Sequence, residues 1–324
     1  MSQQSNLAVA TEAPDRAVPR LGGGRRRNSW RRKEAVAGYV FLLPWLVGIV
    51  GLTLGPVLAS LYLSFTKYDL LSAPRWIGLQ NYVNLFADER YLQSVRVTLV
   101  YVFISVPLKL AFALLLAVLL NRGLRGLNIY RAIYYVPSLL GASVAVAVVW
   151  RQLFSGDGAV NAVLRHLGWH NPPDWITSPH TAIYTLILLA VWEFGSPMII
   201  FLAGLRQLPH DLYEAARVDG AGPIQQFWRI TLPLLTPLVF FNLVLQMIGA
   251  FQSFTQSYIV SGGTGGPVDS TLFYTLYLYQ QSFGELHMGY GAAMAWILVA
   301  VIALFTGGLF RTSRYWVFYQ DQAR

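Results

Sequence analysis

Six long apolar stretches decide what this chain can fold into. They lie near residues 37–65, 97–120, 132–154, 182–204, 234–260 and 290–310. Crossing the hydrocarbon of a bilayer takes about 20 apolar residues, so each is long enough to span. With no water at that depth the backbone must satisfy its own N–H and C=O groups, so each stretch is read as a helix. The expected fold class is an all-α membrane protein with six transmembrane helices. Composition agrees: 55% of the 324 residues are hydrophobic, 12% are charged, and the mean hydropathy is +0.46. A soluble domain carries about a quarter charged residues.

A formal charge of +9 would suggest nucleic acid until the cations are located. Eight Lys and Arg residues lie before Ala35, and nine more follow the even-numbered spans: Arg122, Arg125, Arg131, Arg206, Arg217, Arg229, Arg311, Arg314 and Arg324. The opposite loops hold six: Lys67, Arg75, Arg90, Arg96, Arg151 and Arg165. A split of 17 to six places both termini and the loop after the fourth span in the cytoplasm. No nucleic-acid partner is expected; the basic tail is a topology signal or an anionic-lipid contact. The apolar run after the arginines far exceeds the roughly 7–15 residues of a signal-peptide core, and no cleavage site follows, so it stays as an anchor.

The chain therefore divides into a basic, mostly disordered cytoplasmic tail (1–36), a transmembrane domain (37–312) and a short cytoplasmic tail (313–324). There are no cysteines, and the five histidines are scattered without ligand spacing, so no metal site is expected. The glycine-rich run 261–267 lacks the Gly-Lys-Ser/Thr ending and following helix of a nucleotide loop. The chain should carry no cofactor and hydrolyse no ATP by itself.

Residues 205–237 lie between two spans yet are too polar for lipid. They read as two short helices with a break. Asp211 is placed to cap the first, with Glu214 three residues on as its capping-box partner. Gly220 is placed to end that helix in the left-handed conformation, and Pro223 suits a first helical position in the next. Ala215 and Ala216 leave a low surface that another protein's backbone can approach.

The pattern Glu214-Ala215-Ala216, three residues, Gly220, nine residues, Ile230-Thr231-Leu232-Pro233 resembles the EAA loop of permease subunits in ATP-binding-cassette importers. Asp211-Leu212-Tyr213 and Asp219-Gly220-Ala221 are similar to the carbohydrate-uptake branch, of maltose and sn-glycerol-3-phosphate type. Residues 76–82, 154–168 and 261–267 resemble that family's outer loops, and the likeness covers roughly residues 37–320. The chain looks like the first of two sugar permeases, although it lacks the extra spans and large insert of the best-known maltose member.

The resemblance implies a type I importer permease fold with a cytoplasmic coupling loop at 206–233. It implies a second permease as heterodimer partner, two copies of a cytoplasmic ATPase that bind the ATP, and an extracytoplasmic sugar-binding protein. It places the chain in a bacterial cytoplasmic membrane, multi-pass. Glu214, Ala215, Ala216, Asp219 and Gly220 become the candidate ATPase-coupling residues. The function implied is sugar import by alternating access; the alternatives are a glycerol-3-phosphate or other polyol-derivative importer, or a proton-coupled secondary transporter.

Polar residues inside spans usually face a cavity or another helix. Glu193 sits in Trp192-Glu193-Phe194-Gly195-Ser196-Pro197, where Pro197 removes a backbone donor and opens carbonyls. A carboxylate with an aromatic at a broken helix suits a hydroxyl-rich ligand; a protonated or helix-paired Glu193 is the alternative. Lys109 reads as a long side chain reaching to the interface, or as a counter-ion for substrate or for Glu193. Gln252, Thr255 and Gln256, at three- and four-residue spacing, share a helical face. With Glu193 and Phe194 they are the candidate substrate path, with hydrogen bonds between helices as the other reading.

Overall fold

A computed structural model describes residues 38–121, 127–141 and 143–318. The tail at 1–36, Arg122, Arg125 and Arg324 lie outside the described residues. The chain divides into two compact units, Met1–Ala59 and Ser60–Arg324.

Among the described residues, four helices are long and apolar enough to cross a bilayer: α1 (Gly38–Ser64), α3 (Glu89–Leu120), α10 (Pro223–Phe251) and α13 (Met288–Trp316). Two bent pairs bring the number to six if each pair is one span. The first pairs α4 (Leu127–Leu140) with α5 (Val144–Leu153), turned by 95°; after the short α6 (Ala159–His166), the second pairs α7 (Ala182–Trp192) with α8 (Gly195–Leu205), turned by 41°. The third span is thus interrupted where a continuous helix was expected, while the fourth breaks beside Glu193, where Pro197 pointed to a disturbed turn. The fifth ends as a helix at Phe251 and resumes as α11 (Thr255–Val260). The last helix runs four residues past the expected membrane boundary at 312.

In the second unit, β1 (Thr66–Lys67) and β2 (Arg75–Trp76) form an antiparallel hairpin ahead of α2 (Gln80–Ala87). Asp88 then caps α3: its Oδ1 accepts from the N–H groups of Arg90 and Tyr91. That satisfies donors which a helix start otherwise leaves orphaned. Its Oδ2 accepts the hydroxyls of Tyr277, on α12 (Tyr274–Tyr279), and of Tyr290 on α13.

Helix α3 is the member around which the others pack. It meets α7, α8 and α10, and buries Val102, Val106, Ala113 and Ala117 along their side. Small residues at such contacts let helix backbones approach closely, which drives association where lipid is as apolar as leucine. Its opposite side exposes Phe103, Ile104, Leu108 and Leu115. Apolar side chains left outward on a spanning helix are what a hydrocarbon solvent accepts.

Candidate functional site

Three interruptions of helices converge in one place. The first is Gly141, at the end of α4. The second is Glu193-Phe194, between α7 and α8. The third is Gln252-Ser253-Phe254, between α10 and α11. Glu193 stands at the centre. Its Oε2 lies 3.6 Å from Lys109 Nζ on α3, and its Oε1 accepts from Gln256 Nε2 on α11 at 3.3 Å. Gly141 carries no side chain where it meets Glu193, and a Cβ there would overlap the carboxylate arm. The break itself is held by Ser138, whose Oγ donates to the Glu193 carbonyl at 2.9 Å and accepts from the Ser196 N–H at 2.8 Å. One hydroxyl thereby serves both halves of the interrupted helix.

Around this junction lies a cavity of about 350 Å³. Gln246, Gln252, Ser253, Thr255 and Gln256 offer amides and hydroxyls, while Tyr101 and Phe254 offer ring surface. Among the described residues, Lys109 and Glu193 are the charged groups of its lining. Their side chains are 13% and 16% exposed. Lys109 therefore does not reach to an interface: with a carboxylate 3.6 Å away, an ion pair satisfies it where it stands.

Four of the five candidate path residues, Glu193, Gln252, Thr255 and Gln256, line this cavity. They do not share one helical face, because the helix ends between them. Gln252 is the cap of α10, its N–H donating to the Ile248 and Gly249 carbonyls. The fifth, Phe194, is buried and packs edge-on to Phe112 and tilted to Tyr134, away from the lining. Its side chain follows the apolar interior of the break instead of the polar opening.

The coupling-loop residues lie together on the polar connector. Helix α9 (His210–Val218) buries none of its side chains. Its N-cap is Pro209, in extended conformation, and no side chain caps the start. Asp211 therefore lies one position inside the first turn, where its charge suits the helix dipole. Glu214 lies 3.9 Å from the His210 ring one turn back and forms no capping box with Asp211. A proline cap brings its own fixed φ but no side-chain acceptor, which moves the start by two residues.

The end of α9 follows expectation. Gly220 has φ +78, and the Ala221 N–H reaches back to the Ala216 carbonyl at 2.8 Å. Pro223 opens α10 with Gly222 as cap. The two helices are braced by a hydrogen bond at 2.9 Å between the hydroxyls of Tyr213 and Thr231. Glu214, Ala215, Asp219 and Gly220 are exposed and Ala216 is half-buried. Leu212, Val218, Ile224 and Trp228 add exposed apolar area beside them.

The braced helix pair thus presents exposed apolar area on an otherwise polar connector. The model of the family described as "Binding-protein-dependent transport system inner membrane component" matches residues 85–313. The chain belongs to this family. A probable ABC transporter permease protein of Bacillus subtilis (strain 168), YesP, is 52% identical over 292 residues, 90% of this chain and 94% of that protein. The lactose transport system permease protein LacF of Rhizobium radiobacter is 32% identical over 283 residues, 86% of this chain and 94% of that one. In a bacterial alginate ABC transporter, solved with an alginate pentasaccharide-bound periplasmic protein, one chain superposes with a TM-score of 0.75 at 22% identity. The match covers 88% of this chain and 96% of that one, and shows the shared fold.

The protein is thus a membrane-spanning permease subunit of an ATP-binding-cassette importer, with the type I permease fold. Sequence reading missed two parts of this permease's central junction, Ser138 and Gly141, and held the Lys109–Glu193 pairing only as an alternative to a lysine reaching the interface. Ser138 and Gly141 sit in an apolar run, and nothing in their own neighbourhood marks them. The only local signal was the coincidence of one lysine and one glutamate among six apolar stretches.

Proposed function

We propose that this permease imports a saccharide, and that the cavity around Glu193 is its path through the membrane. The observation that carries this is the lining. Amides and hydroxyls stand beside a carboxylate and ring faces, within a volume in the roughly 300–1,000 Å³ range of ligand sites. Sugar hydroxyls donate to carboxylates and amide oxygens, and the C–H face of a sugar ring covers aromatic rings. Glu193, Gln252, Thr255 and Gln256 contact the sugar; Phe194 supports the break from behind. Relatives named for lactose transport support the substrate class.

In this reading Glu214, Ala215, Ala216, Asp219 and Gly220 form the surface on which a cytoplasmic ATPase docks, and that ATPase binds and hydrolyses the ATP. A second permease completes the path, two ATPase copies drive it, and an extracytoplasmic binding protein delivers the sugar. Both termini lie in the cytoplasm, because cations concentrate on that side. The membrane domain runs from 37 to the end of α13, between two polar tails.

The test is uptake by the assembled importer in proteoliposomes, offered labelled mono- and oligosaccharides and glycerol 3-phosphate. ATP-dependent accumulation of a saccharide that falls with Glu193→Ala is expected. Accumulation of glycerol 3-phosphate alone would overturn the substrate class.

A further inference from the structure

The Glu193 junction does more than line a cavity. Its carboxylate touches every interrupted span: its own, between α7 and α8; the end of α4 at Gly141; and the start of α11 through Gln256. Gln256 also donates toward the Gly141 carbonyl at 3.5 Å and accepts from the Ser253 hydroxyl at 3.3 Å. The Ser253 carbonyl in turn accepts from Thr275. The fourth contact is Lys109 on α3, an uninterrupted helix on which α7, α8 and α10 pack. Broken helices are where spans can pivot, because the backbone there is not held by its own ladder.

We propose that Lys109 and Gln256 are positioning residues that latch the three broken spans to α3 through Glu193, and that ligand hydroxyls displace them. A vicinal diol is chemically equipped for the exchange: it donates to the Glu193 carboxylate while its oxygens accept from Lys109 and Gln256. At 3.6 Å Lys109 and Glu193 form an ion pair without a direct hydrogen bond, and at 3.3 Å the Gln256 bond is a long one, so a competing hydroxyl enters at low cost. Occupancy of the cavity thus becomes release of the pivots, and the importer engages its ATPase only when a ligand has opened the latch. The identity of the displacing group rests on the saccharide reading; the latch does not.

The experiment reads the latch without any sugar. The assembled importer in lipid nanodiscs is assayed for ATP hydrolysis with no ligand and no binding protein. Lys109→Met and Glu193→Gln each remove a partner of the ion pair in the latch, and should raise this basal rate by roughly tenfold, since breaking a buried pair leaves one charge uncompensated. Gly141→Ala pushes the carboxylate out of place and should act in the same direction. The exchanged pair Lys109→Glu with Glu193→Lys restores opposite charges and should return the basal rate toward the wild-type value.

Lys67→Met, on the exposed hairpin, leaves it unchanged. If the single variants assemble yet hydrolyse ATP at the wild-type basal rate, or the exchanged pair is as active as the singles, the latch is overturned. Gln256→Ala removes only a hydrogen bond, so it decides the matter even if the charge variants fail to assemble: a wild-type basal rate in it sinks the proposal. A sugar-uptake failure with an intact basal-rate pattern would remove the saccharide assignment and leave the latch standing.

Discussion

The coupling loop and the membrane cavity are built on opposite principles. The loop is local: Pro209, Gly220, Gly222 and Pro223 each set the backbone at their own position, and the brace between Tyr213 and Thr231 spans 18 residues. The cavity is assembled from α3, α7, α10 and α11, so that Lys109 and Glu193 meet across 84 positions of chain. The loop leaves the side chains of α9 unburied. The cavity hides its polar groups and must satisfy them within the chain. Contacts of the first kind are encoded by residue type and spacing, while those of the second are encoded by where helices stop.

The largest effects are expected at the loop. Ala216→Trp places bulk where a partner must approach, and Gly220→Val forces a β-branched residue to a positive φ that costs about 1–2 kcal/mol. Both variants should insert in the membrane and abolish uptake, and Ala216→Trp should also lose ATPase in co-purification. Normal transport with bound ATPase in both would make the loop a plain connector and erase the contrast with the cavity.

Next in size are the cavity variants. Hydrogen bonds to a charged group are worth about 1.5–3 kcal/mol, and neutral ones about 0.5–1.5. Glu193→Ala should therefore raise the half-saturating sugar concentration more than Gln252→Ala, with the complex intact in both. Equal kinetics in wild type and both variants would move the path elsewhere.

A smaller effect is expected at the N-terminal end of α3. Burial works to raise the pKa of Asp88, but the hydroxyls of Tyr277 and Tyr290 and the N–H groups of Tyr91 and Arg90 together hold it below the ordinary carboxylate value. A depressed native pKa stabilises the fold above the unfolded value of about 3.9, and that contribution is lost as pH falls through the native one. Asp88→Asn keeps a capping oxygen yet loses the charge, so its melting temperature should fall less than that of wild type on acidification from about pH 5 to 3. Parallel melting curves for the two proteins would show that the carboxylate contributes nothing there.

The smallest expected change sharpens the comparison most. Phe194→Leu should cost about 1 kcal/mol of stability through lost packing and leave sugar preference untouched, since its ring faces Phe112 and Tyr134. A changed preference would bring Phe194 back into the path.

The sequence by itself determined the class and the loop. Apolar runs longer than a bilayer admit few structures, the glycine at 220 and proline at 223 leave few backbone conformations, and the EAA spacing carried the family. It also marked a break at Glu193 beside Pro197, since a missing donor acts on its own turn. Only the tertiary structure decided that Lys109 is paired, that Phe194 faces away from the cavity, that the fifth span stops at Phe251, and that Ser138 and Gly141 complete the junction. The reason is physical. Within a membrane every polar group must find a partner on some other helix, and which helix that is depends on packing between segments far apart in the chain.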